Sequence, residues 1–222
     1  FSKVFPGAGR QASTISNSDG TSFFAQVPIT TVLTESYYRN VGDDSWTKVA
    51  TPFSSFYPQK LSNDGKYVHA LTQLSEDINA SQVLIKMAIE TGEYEVIHDF
   101  GFVSELSVSF SAEGGELEYA TWVDDKPEIK IFNKSKESSI LAGFMKSFDG
   151  FNVSVTSIDD TNENIMLYVG SPGILGEYYI WEQATKQARY IVSVHEAVDQ
   201  LELGSFQSVK YTASDGVKLQ GW

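Results

Sequence analysis

No cysteine occurs among the 222 residues, which excludes disulfides and thiolate metal sites and leaves cytoplasm and periplasm both open. Positive charge is scarce: 16 Lys and Arg face 29 Asp and Glu, a formal net charge of −13. A surface of that sign repels phosphate backbones, so a nucleic-acid partner is not expected. No apolar run approaches the length of a membrane span, and the start, "FSKVFPGAGRQ", lacks the basic-then-apolar pattern of a secretory signal, so no membrane partner is expected either. Helical spacing is also rare; only "SVHEAVDQLEL", Ser193 to Leu203, shows it.

Groups that carry chemistry are equally sparse. No Gly-x-Ser-x-Gly occurs, and Ser171, in "VGSPGILG", is followed by proline rather than by a helix pattern. His69, His98 and His195 lack the spacing of metal ligands, and they read as isolated strand or linker residues. Carboxylates gather at Asp43-Asp44, Asp124-Asp125 and Asp159-Asp160 with Glu163, each in a turn, where such side chains cap backbone N–H groups. The calcium-loop spacing is missing from "DDTNEN", and no glycine loop has phosphate-binding form. The sequons at Asn79, Asn133 and Asn152 are of the kind that chance supplies in a Ser-rich chain. The tyrosine pairs Tyr37-Tyr38 and Tyr178-Tyr179 place one ring on each face of a strand, as filling both faces of a buried sheet requires. No cofactor is implied.

What is abundant is β-forming sequence. Aromatics make up 13% of the chain, and Val, Ile, Thr and Ser are plentiful. Asp19-Gly20 in "SNSDGTSFFAQV" and Asp64-Gly65 in "LSNDGKYVHALT" turn between alternating runs, and "FSAEGGELEYATW" and "SIDDTNENIMLYV" repeat the pattern at a period of about 45 to 50 residues. Two further strands follow each anchor; after Gly115 these are "EIKIFN" and "SILAGF". Four-stranded units at this period are the mark of β-propeller blades, whose two apolar faces are buried by stacking on neighbours. The fold expected is therefore all-β: a partial or small β-propeller of about four four-stranded blades, over residues 6–53, 54–100, 101–144 and 145–195 within 1–195. A β-sandwich would not place Asp-Gly turns in phase. Four blades close on themselves, form an open arc or complete a ring with a second copy; an open arc exposes apolar surface and implies a homo-oligomer.

Residues 196–222 leave the repeat and end in "YTASDGVKLQGW", a hairpin in outline. Together with "GSPGILGEYYIWEQATKQARYIV", this segment resembles the end of the propeller in the prolyl oligopeptidase family of serine peptidases, in its dipeptidyl aminopeptidase and acylaminoacyl peptidase branch. That family commonly carries a Pro-Gly, a Tyr-Tyr strand and a Thr-Gly-like turn, matched here by Pro172-Gly173, Tyr178-Tyr179 and Thr185-Lys186. A strand ending in Asp-Gly and an apolar-x-Gly-aromatic run then follow, matched by Tyr211, Asp215-Gly216, Leu219 and Gly221-Trp222. Ser214 stands where the family often has Arg. The resemblance covers roughly residues 150 to 222. It implies that 196–222 is a linker and first hairpin of an α/β-hydrolase domain absent from this chain, with Tyr211, Asp215, Gly216 and Trp222 at the interdomain junction. On that basis the chain is a non-catalytic propeller that gates the access of peptide substrates to its hydrolase domain. The other reading is a stand-alone propeller that binds proteins or ligands, of the periplasmic translocation-associated type; a glycan-binding propeller would need a carboxylate pair that nothing singles out.

Overall fold

A computed structural model describes residues 12–30, 33–77, 79–111, 115–161, 163–171, 174–194 and 208–221. The strands form a series of antiparallel meanders. The first sheet runs in the order β1 (Ser13–Ser16), β2 (Ser22–Pro28), β3 (Thr34–Asn40), β4 (Thr47–Val49). The second follows as β5 (Phe56–Leu61), β6 (Tyr67–Thr72), β7 (Gln82–Ala88), β8 (Tyr94–Gly101). The third holds three strands, β9 (Ser104–Phe110), β10 (Leu117–Val123) and β11 (Pro127–Ile131), with β10 in the middle. Helix α1 (Lys136–Ser147) precedes the fourth sheet, β12 (Asn152–Ile158), β13 (Asn164–Ser171), β14 (Ile174–Glu182), β15 (Gln187–Ser193), and the hairpin β16 (Val209–Thr212) and β17 (Lys218–Gly221) comes last. Sequential up-and-down sheets of this size are β-propeller blades, as the repeat predicts.

Two compact units divide the chain, one holding the described residues of 1–103 and 108–117 and the other those of 104–107 and 118–222. In the first unit the middle strands are buried on both faces. Along β7, Val83, Leu84, Ile85 and Met87 are all at 2% exposure or less, so the strand reads as a continuous apolar run rather than an alternation. Sheets one and two stack through Phe24, Val49, Phe56, Leu61, Val68, Ala70, Ile85 and Met87, and each fully buried Leu, Ile or Phe there stabilises by about 1.5–3 kcal/mol. The repeat turns nest as well. The Asn17 side chain donates to the Asn63 carbonyl at 3.0 Å, binding the first Asp-Gly turn to the second. A Cβ at Gly65 would lie 2.4 Å from Ser22 Oγ, and one at Gly115 would lie 3.1 Å from Asn63 Oδ1.

In the second unit one expected strand is a helix. "SILAGF" does not form the fourth strand of the third blade; it lies inside α1. The physical reason is legible afterwards. Ser135 caps the helix by accepting from the Ser138 N–H, and the Ser138 side chain returns to the Ser135 N–H, a reciprocal capping box. Leu141, Phe144 and Phe148 then recur at helical spacing. Leu141 and Phe144 are buried against Val153, Ile165, Leu167 and Val169, with the Phe144 ring edge-on to Trp181 at 5.0 Å. The helix thus covers a face of sheet four. The helical pattern read in Ser193 to Leu203 falls, beyond Val194, outside the described residues; Ser193 itself ends β15.

Candidate functional site

The residues assigned to an interdomain junction lie on or beside the last hairpin. Its turn is closed by the Gly216 N–H donating to the Ala213 carbonyl at 2.9 Å, while the Asp215 carboxylate accepts from the Val217 N–H at 3.1 Å. The register pairs Val209 with Gly221, Lys210 with Gln220, Tyr211 with Leu219 and Thr212 with Lys218. Directly opposed residues share a face and neighbours along a strand alternate, so Val209, Tyr211 and Leu219 line one side and Lys210, Thr212, Lys218 and Gln220 the other.

The two sides have different fates. Lys210 Nζ bonds the Asp124 carboxylate and reaches Asp125 at 3.1 Å. Gln220 Nε2 donates to the Asp124 main-chain carbonyl at 2.5 Å. The polar side is therefore tied to the β10–β11 turn of the same unit, and these carboxylates hold the Lys210 ammonium above its usual pKa, Asp124 first. Lys126 in that turn pairs in addition with Asp149 at 2.7 Å. On the apolar side Val209 is 54% exposed, Tyr211 55% and Leu219 38%. Trp222 lies outside the described residues.

The other residues weighed in the sequence make turn and core contacts where they are described. Asp43 accepts from the Asn40 N–H at 2.8 Å, and Asp159 from the Glu163 N–H at 2.8 Å and from the Asn164 side chain at 2.7 Å. Asp160 stands in the same turn. Hydrogen bonding, led by Asn164, holds the Asp159 carboxyl low. Asp44 is exposed in the β3–β4 turn. Tyr38 packs on the first core while its hydroxyl donates to Asn40, and Tyr37 donates to Glu35, each at 2.6 Å. Tyr179 packs beside Phe148 and bonds Glu177; burial, then that bond, pushes its hydroxyl up to about 12. Tyr178 meets Tyr168 edge-on.

His69 is enclosed in β6 with Phe110 at 5.3 Å and with Nδ1 buried without a hydrogen-bond partner. His98 on β8 lies edge-on to Phe100 at 4.7 Å. Ser171 ends β13; its side chain, Pro172-Gly173 and His195 fall outside the described residues. Among the described residues no group of three or more His, Asp or Glu is placed to hold a metal ion. Sequence reading singled out neither Lys210 nor Gln220; the signal was there, since both fall on the polar phase of "VKYTASDGVKLQGW".

No family model matches this sequence, and no curated protein is similar to it in sequence. Among solved structures the chain is similar to prolyl oligopeptidase B from Galerina marginata bound to a 25mer macrocyclization substrate, at 14% identity and a TM-score of 0.53, over 95% of this chain and 30% of that one. It is also similar to TolB from Acinetobacter baumannii, at 12% identity and a TM-score of 0.47, over 92% of this chain and 47% of that one. A third neighbour is the β-propeller domain of the Trilobed protease from Pyrococcus furiosus, at 14% identity and a TM-score of 0.40, over 88% of this chain and 60% of that one. The chain thus spans between 30% and 60% of the length of these proteins. An oligopeptidase B and an acylaminoacyl peptidase stand among its neighbours too. What the likeness to prolyl oligopeptidase B carries is the fold: this is a mostly β chain, with one helix, made of β-propeller blades of the kind found in that enzyme.

Proposed function

We propose that this chain is the non-catalytic propeller portion of a serine peptidase of the prolyl oligopeptidase kind, and that it screens peptides on their way to an α/β-hydrolase domain seated against the β16–β17 hairpin. The observation that carries the reading is the two-sided hairpin. Its polar side is bound to the β10–β11 turn through Lys210 and Gln220, and its apolar side, Val209, Tyr211 and Leu219, is open. A neighbouring domain that covers those three side chains gains their burial without disturbing the anchor. The fold shared with prolyl oligopeptidase B supports the same reading. The nucleophile, its base and the oxyanion donors all belong to the hydrolase domain in this scheme, and the propeller contributes exclusion and positioning.

The test starts from the gene. Its reading frame is expected to continue past Trp222 into a Gly-x-Ser-x-Gly segment, and the extended protein is expected to react with a fluorophosphonate probe at that serine. Tyr211→Ser with Leu219→Ser in the extended protein should loosen the domains and lower kcat/KM on short peptides. A frame that stops without a Gly-x-Ser-x-Gly overturns the reading and leaves the stand-alone binding propeller in its place.

A further inference from the structure

We propose that β1 accepts an extended peptide along its open edge, with one apolar side chain of that peptide seated in the cavity between β1 and β5. The site lies wholly in the first unit, far in sequence from the hairpin, and it goes beyond the peptidase reading.

A cavity of about 260 Å³ is lined by Ser13–Ile15 of β1, by Phe24 and Gln26 of β2 and by Tyr57–Gln59 of β5. Ligand pockets for whole small molecules run from about 300 to 1,000 Å³, so this one suits a single large side chain. Its floor is apolar: Phe24 is fully buried and Ile15 packs on the same core. Its rim is amide and hydroxyl, with no carboxylate or cationic side chain in the lining. Gln26 is held in place by donating to the Phe56 carbonyl at 2.6 Å, and Gln59 by donating to the Tyr57 carbonyl at 3.0 Å. Such a lining takes an uncharged apolar or aromatic group and rejects an ion.

The backbone beside the cavity supplies the rest. β1 and β5 are both terminal strands of their sheets, and among the described residues neither has a strand paired on its outer side. Their edges differ. β5 carries Pro58, which has no N–H, and a bulge between Pro58 and Lys60, two devices that prevent strand addition. β1 has neither; its residues Ser13–Ser16 are small or β-branched and uncharged. The Asn17 N–H donates to the Ser22 carbonyl, so the Asn17 N–H is directed at β2 at the end of the β1–β2 ladder, while the Ser22 N–H donates to the Asn17 side chain. Alternation then directs the N–H and C=O groups of Ile15 and Ser13 to β2 and those of Thr14 and Ser16 to the open edge. Two residues thus offer four main-chain hydrogen bonds in strand spacing, and Thr14 also lines the cavity. Main-chain bonds to an edge with one adjoining side-chain pocket are the elements of strand-addition recognition. The net charge of −13 favours a segment with basic flanks.

The probe is acetyl-KTVFVTK-amide carrying fluorescein, titrated against this chain by fluorescence anisotropy. Two further probes carry N-methyl groups on the odd or on the even residues. The unmodified probe is expected to bind saturably, one methylated probe to bind at least tenfold more weakly, and the other to bind as the parent does, because a strand offers only alternate N–H groups to its neighbour. Thr14→Pro removes an edge N–H that the β1–β2 ladder does not use, and it is expected to weaken the parent probe at least tenfold with circular dichroism unchanged. No saturation up to about 1 mM, equal binding of the two methylated probes, or an unaltered affinity in folded Thr14→Pro each overturns the proposal. Should Thr14→Pro fail to fold, the methylated pair decides alone. None of these measurements depends on a hydrolase domain, so failure here leaves the peptidase reading standing, and the reverse holds.

Discussion

Replacing His69 with Phe should flatten the acid sensitivity of the first unit. The ring sits in a cross-strand row, opposite Lys60 on one side and Lys86 on the other, with Glu95 beyond Lys86 at 3.9 Å and the Phe110 ring tilted beside it. Burial first, then the Lys86 charge, lowers its pKa from 6.5 to about 4. The folded protein therefore holds the ring neutral while the unfolded chain protonates it near pH 6.5. Stability from this group is complete above pH 6.5 and is lost as pH falls toward 4. For a fully enclosed ring the loss by pH 4.5 is about 2.5 kcal/mol, and partial solvent access reduces it to roughly 2 kcal/mol. A urea slope of about 1–3 kcal/mol per molar turns that into a midpoint shift on the order of 1 M. Asp19, Asp64 and Asp159 are held low by turn hydrogen bonds, chiefly from Thr21, Ser62 and Asn164, and so titrate below this window in both proteins. Urea titrations followed by circular dichroism at pH 7.5 and 4.5 should show a wild-type loss exceeding that of His69→Phe by about 2 kcal/mol. Equal losses in the two proteins would refute the reasoning.

Three other outcomes are expected. Gly65→Ala should cost at least about 3 kcal/mol, since the left-handed backbone at φ +69° and the approach to Ser22 Oγ both oppose a Cβ, whereas Gly20→Ala, at φ +70° with open space, should cost about 1–2 kcal/mol; thermal melts of the pair separate the two effects. Phe144→Ala should destabilise the second unit by about 3–5 kcal/mol in a urea titration, because the ring fills the space between α1 and Trp181. Lys210→Ala with Gln220→Ala should leave the urea midpoint nearly unchanged, as exposed ion pairs contribute little, yet raise amide hydrogen exchange across 209–221 severalfold.

The blade pattern was legible because each unit is punctuated by a turn that only a few residues can make, and Asp19-Gly20 and Asp64-Gly65 mark it in phase. The same period misled at "SILAGF". Counting four strands per unit supplied a strand there, although Leu141, Phe144 and Phe148 carry helical spacing and Ser135 with Ser138 a capping box. Periodicity at the scale of the repeat overrode periodicity at the scale of the residue. The hairpin itself was plain in "YTASDGVKLQGW", but its anchor was not, since Asp124 lies 86 residues before Lys210. The enclosure of His69 was equally hidden: its flanking lysines come from two other strands, and Phe110 from a third. The cavity between β1 and β5 depends on which edges stay open, and that is a property of sheet order rather than of any local run.

The nested turns carry an implication for how such a chain changes over generations. The modules share one kind of loop, but a loop that leans on a neighbouring module is constrained by it. At Gly65 and Gly115 the crowding comes from the preceding module, through Ser22 and Asn63, whereas Gly20 stands in open space. Related genes should accordingly accept Asn or Asp at position 20 more readily than at positions 65 and 115, where the neighbouring module crowds any side chain.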